Sequence, residues 1–225
     1  NVIYNKFNID NKKNTFTLSK GHCALALYAV LKNKKIISNK EFQTYATDKT
    51  LFGEHPSPSL KENKINFASG SLGHGIGYAS GVAYSNKLKK VSGKSFVLIG
   101  DGELNEGSCW ESIMLAAKLK LDNLYVFIDY NKWQATGRSN QILELEPLKE
   151  KLKSFGWASA EVNGHDIEKV IKTIKVLEKK SGKPKIIIAH TIKGKGVSFM
   201  EDDNNWHYRS PTNLEFEQAK IEILS

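Results

Sequence analysis

An alternation of short apolar runs and helix-like segments constrains the fold of this chain more than any other feature. Residues 96–99 form a continuous apolar run ending at Gly100, and residues 104–119 carry Trp110, Ile113, Met114 and Ala117 at helical spacing. A second apolar run lies at 124–128, a helical stretch at 148–155 and a strand-like segment at 157–162. Residues 167–179 place Val170, Ile171, Ile174 and Leu177 on one helical face, and a last apolar run covers 186–189. Strand–helix alternation of this kind predicts an α/β fold: a central, mostly parallel sheet flanked by helices and joined by right-handed crossovers. Ahead of it, 23–32 and 40–49 read as helical, 53–60 is a loop rich in Gly, Pro and Ser, and 69–81 is Gly-rich. Residues 191–211 show no periodicity and read as a loop of about 20 residues, a length usually tied to function or disorder. No repeat, low-complexity linker or composition break interrupts the chain, so 1–225 reads as one domain.

Composition narrows the function classes. The 225 residues are 40% hydrophobic, enough for one sizeable core, and the 10% aromatic content excludes a disordered tail. No apolar run reaches membrane-spanning length. The chain opens on Asn1 with no signal-peptide pattern, so an incomplete N-terminus is expected. Cys23 and Cys109 lack metal-ligand spacing and read as buried thiols of a reducing compartment, hence a cytoplasmic protein. The net charge of +9 is spread over Lys12, Lys13, Lys34, Lys35, Lys89, Lys90, Lys179 and Lys180, with no stripe interleaved with aromatics. That pattern describes a lysine-rich surface that attracts phosphate, and it disfavours nucleic-acid binding.

The strongest local signal is Gly100-Asp101-Gly102, which follows a buried run and precedes a helical one. Asp101 thereby falls at the carboxyl end of a strand, where ligands bind in open α/β sheets. Asn131 occupies the same place after the next run. If the two strands are neighbours, both side chains reach one sheet edge. An Asp, an Asn and a backbone carbonyl form a hard-oxygen set suited to magnesium, which completes its octahedron with phosphate oxygens and water. The flanking glycines let the backbone approach a diphosphate, and the helix after Gly102 would present N–H groups to it. The Gly-rich 75–81 stretch also invites a dinucleotide reading; the weak strand before it and the lack of a placed acidic partner argue against that.

The segment from Gly100-Asp101-Gly102-Glu103-Leu104-Asn105-Glu106-Gly107 to Asp129-Tyr130-Asn131 resembles the thiamine-diphosphate motif, and Trp110-Glu111 after it resembles the transketolase family specifically. Leu18-Ser19-Lys20-Gly21-His22, Glu54-His55-Pro56, Gly70-Ser71-Leu72-Gly73, Thr191-Ile192-Lys193-Gly194-Lys195-Gly196 and Trp206-His207 are similar to further family segments, in the family's order, over about residues 17–211. The resemblance implies a thiamine-diphosphate-binding fold, specifically its diphosphate-binding domain. It implies that Asp101 and Asn131 coordinate Mg2+ by side chains and Trp133 by its carbonyl. Gly102, Gly70, Ser71 and Leu72 would meet the cofactor through the main chain, and His22, Lys193 and His207 would surround the diphosphate. His55, with His207, would hold the donor sugar's hydroxyls, and Glu106 would lie at a subunit interface and link two cofactors. His74, His165 and His190 are read as structural.

Two departures, Glu54 before His55-Pro56 and Tyr208-Arg209 after His207, bear on substrate choice and not on the cofactor. An earlier Gly-His-Pro segment of the family is missing, and no segment resembles the family's pyrimidine-binding domain, which supplies the glutamate that activates the cofactor. The expectation is therefore the N-terminal subunit of a two-subunit transketolase, a heterotetramer with a separate C-terminal subunit, transferring a two-carbon ketol unit between sugars or sugar phosphates. Alternatives are the corresponding half of another thiamine-diphosphate enzyme, of the 1-deoxyxylulose-phosphate synthase or 2-oxo-acid dehydrogenase type, or a non-catalytic anion-binding module.

Overall fold

The computed structural model describes residues 2–7, 9, 13–58 and 65–225; Lys12 and the end of the 53–60 loop at Leu60 lie outside the described residues. Strands β1 (Thr15–Leu18), β2 (Ser95–Gly100), β3 (Leu124–Tyr130), β4 (Ala158–Asn163) and β5 (Lys185–His190) form one sheet in the order β1-β2-β3-β5-β4. Every pairing is parallel. All five strands therefore end at one edge, and the segments that follow them meet there.

Side-chain alternation divides the core between the two sheet faces. Val97, Ile99, Val126, Ile128, Ile186 and Ile188 point to one face and pack with buried residues of α4 (Gly75–Leu88), α5 (Gly107–Lys118) and α7 (Leu148–Ser154). Phe96, Tyr125, Phe127 and Ile187 point to the other, against α2 (Ala24–Asn33) and α8 (Ile167–Glu178). Burial on both faces explains why the central strands are continuous apolar runs with no polar alternation. The short helices α1 (Val2–Lys6) and α3 (Asn39–Phe42) pack against the second cluster, and the remaining helices are the short α6 (Ser139–Ile142) and the terminal α9 (Asn213–Leu224).

Several boundaries differ from the sequence expectation. The helix expected at 40–49 stops at Phe42, and turns replace it through Thr50. Two of those turn residues, Ala46 and Lys49, sit at φ 55° and 61°, which no helix accommodates. The Gly-rich 69–81 stretch divides into a turn and the first half of α4, whose Gly75 lies against Ser19 just after β1. The helix expected from 104 begins at Gly107, because Gly102–Asn105 form a 3₁₀ turn first. Edge strand β1 and helix α9 carry no periodicity strong enough to announce them. Residues 191–211 are irregular apart from a 3₁₀ turn at Asn204–His207.

Ile128 is fully buried in the middle of β3. Ile128→Ala is expected to lower unfolding free energy by about 3 kcal/mol, read as an earlier denaturant midpoint at unchanged slope. A loss under about 1 kcal/mol would show that this strand is not the centre of the core.

Candidate functional site

β2 and β3 are hydrogen-bonded neighbours with Gly100 opposite Asp129. Asp101 and Asn131 therefore leave adjacent strands at the same sheet edge. Asp101 is 1% exposed. Its Oδ1 accepts from Gly102 N–H at 2.9 Å. Its Oδ2 accepts from Lys132 N–H at 2.8 Å and from the Ser139 hydroxyl at 2.9 Å. Burial nevertheless pushes this carboxyl above its ordinary value, outweighing the three hydrogen bonds, and neighbouring Asp129 pushes the same way. Among the described residues Asp101 has no salt-bridge partner, although its charge favours those of Lys20 and Lys193.

Asn131 Oδ1 accepts from Trp133 N–H at 2.9 Å, which turns the chain so that 131–133 curls over the strand ends. Lys132, at φ 67°, occupies the left-handed position of that curl. Among the described residues, no group of three or more His, Cys, Asp or Glu side chains stands at metal-binding spacing. A metal here would rest on one carboxylate, one amide oxygen and main-chain oxygen, the hard set magnesium accepts.

Across from Asp101 lies a cationic cluster. Lys20 follows β1, is 6% exposed and is ion-paired with Asp129. Burial works against its charge, but Asp129 prevails and holds the ammonium above its ordinary value. Thr191, just after β5, donates to the other oxygen of Asp129. Lys193 Nζ lies 2.9 Å from His207 Nδ1, and the His22 and His207 ring centroids are 5.3 Å apart. Burial, then Lys20, pulls the Lys193 ammonium down, and burial, then Lys193, does the same to His207. His22 is pushed down to about 4 by burial and by Lys20, His207, Lys193 and His55. Among the described residues no carboxylate salt-bridges His22, Lys193 or His207, and such a set of repelling donors fits an anion.

The Gly70-Ser71-Leu72-Gly73 turn faces this cluster. A Cβ at Gly70 would come 3.1 Å from His55 Cδ2, so glycine lets the exposed His55 lie against the turn. Gly73 sits at φ 87°, and a Cβ there would meet Ser108 Oγ at 2.4 Å. Glu103 fastens the turn from beneath: it is 1% exposed, and its Oε1 accepts from Gly73 N–H at 2.9 Å and from the Ser19 hydroxyl. Gly102 approaches Gln134, whose side chain a Cβ would meet at 3.0 Å.

The structure thus brings together Asp101, Gly102, Asn131, Trp133, His22, His55, Lys193, His207 and the Gly70–Leu72 turn. Glu106 is exposed and lies against the far end of that turn, where a Cβ at Gly73 would meet its Cβ at 2.8 Å. It occupies the N-cap position of α5 and not a place one turn inside it, with no side-chain cap hydrogen bond. His165 does more than shape a turn, since its Nε2 accepts from Ile192 N–H at 2.8 Å and anchors the start of the 191–207 segment. His190 lies 3.4 Å from Glu161 at the sheet edge. Sequence reasoning passed over Lys20, Asp129, Glu103, Ser139 and Thr191. Two of them left a signal: Asp129 breaks an otherwise apolar strand at its carboxyl end, and Lys20 sits between buried Ser19 and Gly21.

The family described as "Transketolase, thiamine diphosphate binding domain" matches residues 5–223. The chain belongs to this family. It is 37% identical over 214 residues to a subunit of the apulose-4-phosphate transketolase of Phocaeicola vulgatus, covering 95% of this chain and 75% of that protein. It is 34% identical to the 6-deoxy-6-sulfo-D-fructose transketolase subunit SqwG of a Clostridium species, covering 94% and 77%. Among solved structures, transketolase from Campylobacter jejuni superposes with a TM-score of 0.85 at 27% identity, covering 93% of this chain and 34% of that one. The chain therefore spans about a third of that solved transketolase. The fold is the thiamine-diphosphate-binding fold expected of a transketolase-family domain, and the family's cofactor is thiamine diphosphate with a divalent metal.

The observed donors fit that cofactor: among the described residues neither the buried Asp101 carboxylate nor His22, Lys193 and His207 has a salt-bridge partner, and the two sets lie close enough for Asp101 to favour the Lys193 charge. His22 carries a testable consequence. Its folded value of about 4 lies below its ordinary 6.5, so the unfolded chain binds the proton more tightly. The His22 contribution to stability is present above 6.5 and is lost as pH falls from there toward 4. A diphosphate in the cluster reverses the local field. NMR titration of the His22 ring should show its pKa rising when magnesium pyrophosphate is added; an unmoved His22 would mean the anion binds elsewhere.

Proposed function

We propose that this chain is the diphosphate-side subunit of a two-subunit transketolase and helps transfer a two-carbon ketol unit from a ketose to an aldose, as sugars or sugar phosphates. The observation that carries the reading is charge complementarity at one sheet edge. A magnesium diphosphate would set a cation against Asp101 and an anion against His22, Lys193 and His207. In this reading 1–225 acts as one diphosphate-binding domain in the cytoplasm. Its partner is a C-terminal subunit bearing the pyrimidine-binding domain, in a heterotetramer. Relatives whose names describe single transketolase subunits, and three-quarters of whose length this chain covers, support a separate partner.

Asp101, Asn131 and the Trp133 carbonyl would hold Mg2+. His22, Lys193, His207, Gly102 and the Gly70-Ser71-Leu72 main chain would hold the diphosphate. Bound thiamine diphosphate supplies the carbon centre that accepts and passes on the two-carbon unit. This chain supplies orientation and field. His55, lying against Gly70 at the open side, and His207 would donate hydrogen bonds to donor hydroxyls and to developing negative oxygen. Near neutral pH the suppressed basicity of His207 keeps a neutral ring, able to donate from one nitrogen and accept on the other. Glu106, exposed on this chain, would face the partner. Glu54, Tyr208 and Arg209 would form the rim that selects the sugar.

Reconstitution with the partner subunit, thiamine diphosphate and magnesium should give two-carbon transfer. Asp101→Ala should lower it by about 100-fold or more, because a metal site without its carboxylate loses affinity at least on the scale of outer-sphere losses. Pyruvate decarboxylation without ketol transfer, or full activity in Asp101→Ala, would overturn the reading.

A further inference from the structure

The segment after β3 and the segment after β5 are joined by Asp202. Its carboxylate accepts from the Trp133 indole N–H at 2.8 Å. The same carboxylate takes both arms of Arg138, at 2.7 and 2.6 Å. The Arg138 guanidinium lies 3.7 Å from the centre of the Trp133 ring, so Trp133 is held on its face and at its edge at once. On the other side, Asp202 N–H donates to the Lys193 carbonyl at 2.8 Å. Asp202 reaches both ways from φ 57°, a backbone state unusual for a residue other than glycine. Asn204 adds a second tie, its side-chain amide donating to the Ala135 carbonyl at 3.1 Å. A Cβ at Gly194 would meet the Met200 carbonyl oxygen at 2.2 Å, so the 194–200 loop closes tightly enough to carry Asp202 back to Lys193.

We infer that Asp202, with Arg138 and Trp133, is a latch that sets the metal-side loop and the diphosphate-side lysine in register, making Asp202 a positioning residue for cofactor binding. The inference rests on the functional reading above, in which the Trp133 carbonyl meets the metal and Lys193 meets the diphosphate. Metal and diphosphate are contacted from segments about sixty residues apart in sequence, and Asp202 bonds directly to both. The contact with Arg138 also lowers the Asp202 carboxyl from its ordinary value, so the latch is charged at working pH. The Asp202 side chain is 53% exposed, so its removal leaves no buried hole. A surface ion pair of this kind adds little to global stability, and its effect should appear in binding.

Calorimetric titration of thiamine diphosphate at saturating magnesium tests the latch in Asp202→Ala, Arg138→Ala, the double variant, and Trp133→Phe, which keeps a ring for Arg138 but removes the N–H. The thermal midpoint of each cofactor-free protein is measured alongside. Each alanine variant should weaken cofactor binding about tenfold, with the double variant no worse than the weaker-binding single and the midpoints nearly unchanged. Asp202→Asn keeps an oxygen for the indole and should bind better than Asp202→Ala. Cofactor affinity within about twofold of the unmutated protein in both alanine variants would overturn the latch. So would fully additive losses, or losses tracking the thermal midpoint. Failure of the unmutated protein, with its partner subunit present, to bind thiamine diphosphate at all would reject the functional reading on which the latch rests.

Discussion

Parallel pairing of β2 with β3, in unbroken register from Ser95 opposite Leu124 to Gly100 opposite Asp129, is the constraint on which the rest of the site depends. It puts Asp101 and Asn131 on adjacent strand ends. Strand β5, on the far side of β3, then brings Thr191 and the segment leading to Lys193 to the same edge, and β1 beyond β2 brings Ser19, Lys20 and His22. A one-residue slip between β2 and β3 would turn the apolar set of one face to the other and would also separate the Asp101 and Asn131 side chains. Core packing and site geometry therefore enforce the same register.

At that edge one pair of opposite charges is matched within the chain and other ionisable groups have no salt-bridge partner among the described residues. Lys20 and Asp129 form an internal pair. Asp101 remains a buried carboxylate whose hydrogen bonds do not cancel the cost of burial. Burial, together with Lys20, works against protonation of His22, Lys193 and His207. Charges kept apart in a partly buried site are costly unless a ligand completes them. In the proposed reading, magnesium bound to a diphosphate would meet both sets together, and neither ion alone would do so. The Glu103 bridge beneath Gly73 and the Asp202 bridge between Trp133 and Lys193 serve this arrangement by fixing the backbone that presents those charges.

Much of this was legible in the sequence because it is carried by strong local signals. The runs at 96–99, 124–128 and 186–189 are strands because each is buried on both faces, and the 167–179 pattern becomes α8. Asp101 and Asn131 could be placed because motifs at strand ends fall at a predictable sheet edge. Weak or tertiary signals stayed hidden. β1 has four residues at the sheet margin, and α9 exposes nearly every apolar side chain it carries, so neither shows a periodic face. The 40–49 segment has helical composition but left-handed residues at Ala46 and Lys49 that only the fold reveals. Lys20 with Asp129, Glu103 with Gly73, and Asp202 with Arg138 are pairs far apart in sequence, and spacing does not disclose them.

The central claim is that metal and diphosphate are one ligand to this site. It is tested most directly by titrating thiamine diphosphate into the protein reconstituted with its partner subunit, by calorimetry, with magnesium and again with the divalent ion chelated. Saturable binding that requires the metal, and is restored by adding it back, is the predicted result. Equal binding with and without the metal, or no binding in either case, would contradict the account.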